Sequence, residues 1–187
     1  MGTTDYQDAI LTNTSADCAD YAGDYSADVL DINQNKSFTS TVSIVAGGDS
    51  CTLTSNGIPN TDFDDSSARS ATQTAEVPEE FTIPPSPTAA AQITQLSQSF
   101  YNGVILNGVP LDVLSAGCYK PTDPRANDAG IVPIGCNVDS AWLADPLGLG
   151  SNFGADGQYG YYITDEFPYS VYCLTGTPDP SFKKGQG

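Results

Sequence analysis

Carboxylates, carboxamides and phenols carry what chemistry this chain offers, because its 187 residues include no histidine. That absence rules out a Ser-His-Asp triad, a Cys-His pair and a zinc or copper site built on imidazole. Asn60, Asp62, Asp64 and Asp65 alternate through "IPNTDFDDSS", and Asp31, Asn33 and Asn35 through "DINQNK". Calcium takes about six to eight oxygens, and a loop with Asp or Asn at alternate positions can supply several. Neither loop is an EF-hand, since the glycine at loop position six and the glutamate at twelve are missing. The plainer reading of both is a solvated turn tied by side-chain bonds to its own backbone. Asp165 and Glu166 in "TDEF" form a third acidic group. A carboxylate pair facing across a cleft would suit glycoside hydrolysis, which is the least favoured reading.

Asp165 interrupts a row of large side chains. From Tyr159 onward every second residue is apolar or aromatic: Tyr159, Tyr161, Ile163, then Phe167, Tyr169, Val171 and Cys173. Alternation of this kind marks a strand with one packed face. Such aromatics usually fill a core or a cross-strand ladder. The functional alternative is a stacking surface for sugar or protein built from Tyr159, Tyr161 and Tyr162, with Asp165 and Glu166 beside it.

The elements that must position these residues are short. "YSADVLDI" (25–32), "SFTSTVSIVAG" (37–47) and "SCTLTSNGI" (50–58) read as three strands of an antiparallel meander, separated by "NQNK" and "GGD". In the second, Phe38, Ser40, Val42 and Ile44 alternate with Thr39, Thr41, Ser43 and Val45. Residues 64–76 read as a loop or weak edge strand, and "EFTI" as a strand running into a proline-rich linker. "AAAQITQLSQSF" suggests a helical turn or two. "NGVILNGVPLDVLS" (102–115) is a hairpin signal, with Asn107-Gly108 suited to a type I′ turn. "DSAWLADPLGLG" suggests a short helical turn capped by Asp139, with Trp142 packed against it. The fold class is therefore mostly β, an antiparallel sandwich or two-sheet domain with long loops and at most short helices. One domain spans 1–187, divided into a strand meander (1–63), a Pro/Ser/Thr-rich connection (64–100) and a hairpin with the Tyr-rich strand (101–187).

Charge and cysteine usage bound the setting. A formal charge of −17 repels phosphate backbones and anionic lipid, so nucleic acid and membrane surfaces are poor partners. No apolar run approaches the ~20 residues that cross a bilayer. No signal peptide is evident, and "MGTTDY" reads as a mature chain behind an added Met-Gly. Cys18, Cys51, Cys118, Cys136 and Cys173 contain no C-x-x-C pair, which argues against a zinc ribbon. Their wide spacing suits disulfides in an oxidising compartment: Cys18–Cys51 and Cys118–Cys136, with Cys173 left over and buried. The sequons at Asn13 and Asn35 permit N-glycosylation on a eukaryotic secretory route.

Four blocks in order give the chain a family likeness: "CTLTSNGIPNTDFDD", "NGVILNGVPLD", "DPLGLGSNFGADGQYGYY" and "ITDEFPYSVYCLTGTPD". They resemble the YHYH-domain proteins, secreted proteins named for a Tyr-His-Tyr-His motif. Where the motif is expected this chain reads Tyr159-Gly160-Tyr161-Tyr162, and Thr61 stands where a histidine follows Ile-Pro-Asn. Positions 160 and 162 share one face of a strand, so the family's two histidines would lie together there. Gly160 and Tyr162 cannot bind a transition metal in that way. The resemblance implies a secreted or periplasmic, disulfide-containing β domain with its histidine site lost. It also implies a possible truncation after "CLTG", which would leave Cys173 without a partner. The expected function is a non-enzymatic module for structure, adhesion, partner binding or self-assembly, with protein or carbohydrate as partner. A calcium- or carbohydrate-binding extracellular domain is the alternative.

Overall fold

The computed structural model describes residues 2–9, 15, 17–65, 73–85, 88–95, 97, 99–112, 151–153, 159–161 and 173–185. The chain divides into two compact units. The first comprises Met1–Thr88, Gly103–Leu111 and Asp179–Gly187; the second comprises Ala89–Asn102 and Asp112–Pro178.

The first unit is built on a five-stranded sheet in the order β1-β2-β3-β4-β5. Its strands are β1 (Thr4–Asp5), β2 (Gly23–Asp31), β3 (Lys36–Ala46), β4 (Cys51–Ser55) and β5 (Glu79–Ile83). β2 to β5 form the antiparallel meander that the alternation predicts, and β1 joins the β2 edge in parallel. One face is apolar: Ala27 and Val29 from β2, Phe38, Val42 and Ile44 from β3, Leu53 from β4 and Phe81 from β5 are all buried. The register puts the intervening residues on the opposite face, where Asp24, Asp28, Thr39, Thr41 and Glu80 are exposed. Cross-strand bonds lace that face: Thr39 Oγ1 donates to Asp28 Oδ1 (3.0 Å) and Ser43 Oγ to Asp24 Oδ1 (2.7 Å).

β4 stops at Ser55, yet its neighbour asparagine prolongs the ladder. Asn56 Oδ1 accepts from Thr41 N (3.0 Å) and Asn56 Nδ2 donates to Thr39 O (2.8 Å), as a peptide group in the next rung would. Asn56→Ala is expected to cost about 1–2 kcal/mol, read as a lower urea midpoint.

Cys18 and Cys51 are disulfide-bonded, as their spacing suggests. The bond ties the 3-10 helix Cys18–Tyr21 to the start of β4. Asp17 caps that helix by accepting from Ala19 N at 2.9 Å. At the far edge, Ser181 Oγ accepts from Thr82 N (2.9 Å) and the Phe182 ring lies 4.9 Å from that of Phe81.

β6 (Thr94–Gln95) replaces the helical turns expected of "AAAQITQLSQSF" and belongs to the second unit. It pairs antiparallel with β11 (Cys173–Leu174), and Ala90 N donates to Thr175 O (2.8 Å) just beyond. A partner strand from far along the chain overrides a weak local preference. β7 (Gly103–Val104) and β8 (Pro110–Leu111) form the expected hairpin of the first unit. In the second unit β9 (Ser151–Phe153) pairs with β10 (Tyr159–Tyr161), setting Tyr159 opposite Phe153 and Gly160 opposite Asn152. The class is mostly β, as the sequence indicates.

The Asn60–Asp65 loop and its neighbours

The candidate site lies in the first unit, where "IPNTDFDD" leaves the sheet. Ile58 is fully buried and anchors the loop. Beyond it the chain runs beside the β2–β3 turn. Asp31 and Phe63 form a parallel bridge. Phe63 N donates to Leu30 O (3.1 Å), Ile32 N to Phe63 O (2.9 Å) and Asn33 N to Asp64 O (3.1 Å). The two acidic clusters read separately from the sequence are thus brought to one corner.

The named side chains of that corner hold backbone. Asp31 is 0 % exposed; its Oδ1 accepts from Gln34 N (2.9 Å) and its Oδ2 from Gln34 Nε2 (2.8 Å). Asp62 Oδ1 accepts from Leu30 N (2.8 Å), and Asn33 Nδ2 donates to Asp65 O (3.1 Å). Asp64 adopts a φ of +57°, a conformation that Asp tolerates at turns. Among the described residues, no group of three or more Cys, Asp or Glu stands close enough to hold a metal ion.

Asn60 faces the other way, into the protein. It is buried, and its Nδ2 donates to Tyr6 O (2.9 Å) and Ala9 O (3.1 Å). Its Oδ1 accepts from Asn107 Nδ2 (3.1 Å), and its backbone oxygen from Asp8 N (2.9 Å). The amide's two protons and its oxygen are therefore all engaged.

Asn60 belongs to a polar junction that the sequence does not announce. Tyr6 is 3 % exposed, and its hydroxyl lies 2.5 Å from Ser40 Oγ. Ser40 Oγ donates its only proton to Ile58 O (2.6 Å), so Tyr6 must be the donor to Ser40. The one sequence signal is Ser40 itself, the single polar residue among Phe38, Ser40, Val42 and Ile44 of β3. Burial pushes the Tyr6 phenol above its ordinary pKa. A phenol whose folded pKa is raised leaves stability flat below about pH 10 and lowers it as pH rises through the folded value. Tyr6→Phe is expected to cost about 0.5–1.5 kcal/mol at neutral pH and to remove that alkaline loss. Urea midpoints at pH 7 and across the alkaline range check both.

The β7–β8 hairpin completes the junction, and its turn is not the expected type I′. Gly108 N donates to Ile105 O (2.8 Å), so Leu106 and Asn107 are the central residues. Gly108 alone in that turn has positive φ, at +82°. Gly108 follows the turn in the left-handed region, as in a three-residue hairpin loop. Asn107 keeps negative φ; its amide reaches Asn60 and its Oδ1 accepts from Val109 N (3.2 Å). Ser55 Oγ donates to Gly108 O (2.7 Å) and fastens the tip to β4.

The remaining sequence candidates divide plainly. Tyr159 and Tyr161 lie in β10. Tyr162, Asp165, Glu166, the Cys118–Cys136 pair, Asp139, Trp142 and Asn13 lie outside the described residues. Asn35 is exposed in the β2–β3 turn at a φ of +50°. Cys173 is a buried free thiol in β11, and burial raises its pKa. It is expected to alkylate slowly until the chain is unfolded, which peptide mapping after timed iodoacetamide treatment would show.

The described fold defines a mostly-β protein with an acidic, internally bonded corner. The family model described as YHYH protein matches residues 80–158, which bears out the resemblance over that segment. The match takes in "NGVILNGVPLD" and ends immediately before Tyr159; the blocks at 51–65 and 163–179 lie outside it. No curated protein and no solved structure matches the chain.

Proposed function

We propose that the chain is an exported, non-enzymatic β module that serves structure, adhesion or partner binding, including association with its own copies. The observation that carries this reading is the use made of the acidic corner. Asp31, Asp62 and Asn60 each bond backbone or a structural neighbour, the work of a scaffold rather than of an acid–base pair. The Cys18–Cys51 disulfide supports an oxidising compartment, extracellular or periplasmic. On the outer sheet face Asp24, Asp28, Ser37, Thr39, Thr41 and Glu80 are exposed beside one large apolar residue, Val45, a surface suited to a polar partner.

A carbohydrate partner has one observation in its favour. Two shallow hollows of about 720 and 480 Å³ lie against the β2–β3 strands. Asp28, Thr39 and Asp62 line the larger, Asp24, Ser43 and Asn56 the smaller. Carboxylates, hydroxyls and an amide are the groups that bond sugar hydroxyls.

Native mass spectrometry of the unreduced chain tests the assignment, run at rising protein concentration, with and without calcium and a panel of oligosaccharides. Oligomers growing with concentration, or a bound sugar, are expected. Release of sugar from an oligosaccharide, lost in Asp62→Asn, would overturn the non-enzymatic reading.

A further inference from the structure

The leading segment, Thr3–Ala9, crosses the β2 edge as a strap with one buried anchor, Tyr6. Its pairing as β1 is only two residues long, Thr4 opposite Tyr25 and Asp5 opposite Ser26. Nearly all that holds it comes from the body of the first unit. Tyr6 N donates to Ser26 O (3.1 Å), Asp8 N to Asn60 O (2.9 Å), and Asn60 Nδ2 returns bonds to Tyr6 O and Ala9 O. The Tyr6 hydroxyl meets Ser40. The Ala9 N to Tyr6 O bond (3.0 Å) lies within the strap and travels with it. Nine positions beyond Ala9, Cys18 is held to β4 by the disulfide, and Ser15 O accepts from the Tyr21 hydroxyl at 3.0 Å. A fully extended run of eight residues spans about 27 Å.

We propose that this strap is exchangeable: the slot beside β2 that Tyr6 fills accepts the strap of a second copy, so that copies link through parallel β1–β2 pairing. The proposal rests on the self-association part of the functional reading and names its interface. An identical strap restores every bond lost by the strap that leaves, so exchange carries little enthalpic penalty. The intramolecular strap wins at low concentration, because a short tether gives it an effective concentration in the millimolar range. Exchange therefore rises with protein concentration. A vacated slot would also bare the β2 edge around Ser26, which an incoming strand covers.

The test mixes two singly substituted chains, Asp5→Cys and Ser26→Cys, under mild oxidation. Within either copy no thiol stands at the other of positions 5 and 26; across copies only an exchanged strap sets position 5 of one beside position 26 of the other. The expected result is a peptide joining those two positions, rising with concentration and lost when Tyr6→Ala is added to the Asp5→Cys chain. No such peptide at millimolar protein overturns the proposal, as does one that survives Tyr6→Ala, which marks random collision. Native mass spectra of the unsubstituted chain separate the two readings. Oligomers without the joined peptide sink exchange and leave self-association standing; monomers throughout sink both.

Discussion

Gly108→Ala is expected to lower the urea midpoint sharply, with a loss of about 2–4 kcal/mol. Two separate costs meet at this position. Its φ of +82° disfavours any side chain. A Cβ there would also fall 2.4 Å from Ser55 Cβ and 2.7 Å from Val42 Cγ2. Neither neighbour can yield readily: Val42 is buried in β3, and Ser55 is the last residue of β4 and bonds Gly108 O. The hairpin tip would have to lift, and the Asn107–Asn60 bond would lengthen with it. Against a typical total of about 5–15 kcal/mol, this is a large fraction. Gly103→Ala in the same hairpin supplies the comparison. A Cβ there meets only Leu111 Cδ1 at 3.7 Å, an ordinary contact, so a loss below about 1 kcal/mol is expected. Equal losses at the two positions would remove the tip contact as the cause.

Cys18→Ala with Cys51→Ala is expected to cost about 3–4 kcal/mol. The bond closes a loop with a sequence separation of 33, and most of its effect lies in restricting the unfolded chain. That loop encloses all of β2 and β3, so the open chain gains freedom over most of the sheet. Cys51 is also 1 % exposed at the start of β4, and its replacement by Ala leaves a small void. Urea midpoints of the double variant and the unsubstituted chain, both without reductant, check the loss. Identical midpoints would mean that the bond contributes nothing in solution. On reduction the 3-10 helix keeps its exposed Asp17 cap and the part-buried bonds from the Tyr25 hydroxyl to Tyr21 O (2.8 Å) and from the Tyr21 hydroxyl to Ser15 O (3.0 Å).

The meander was legible because its information is local. Phe38, Ser40, Val42 and Ile44 declare a buried face at a period of two, and the polar runs on either side can only be turns. The Cys18–Cys51 bond follows from the same layout, which brings the first cysteine back to the sheet. The junction around Asn60 was not legible, because four separate stretches meet there: Tyr6, Ser40, Asn60 and Asn107. No spacing rule joins them. Asn60 reads as a calcium ligand by its type and neighbours, while its amide points to Tyr6 O, Ala9 O and Asn107 Nδ2. The Asn107-Gly108 turn shows the same limit. The dipeptide located the hairpin, but Asn107's bond to Asn60, which residue type alone does not show, accompanies a turn of another type. β6 fails for a related reason, since its partner β11 lies far along the chain.

The alternation in β3 has a consequence for fidelity. A slip of one residue against β2 and β4 would turn Phe38, Val42 and Ile44 to solvent and bring Thr39, Thr41 and Ser43 inward. Exposing three such side chains forfeits roughly 5–9 kcal/mol, about as much as a whole domain's net stability. A slip of two keeps the faces and is punished far less by hydrophobicity. There Ser40 acts as the index mark. Only the native register sets its hydroxyl between Tyr6 and Ile58 O; a slip of two leaves it buried without those partners. The one buried polar residue of β3 thus distinguishes the correct alignment from the errors that the apolar residues would tolerate.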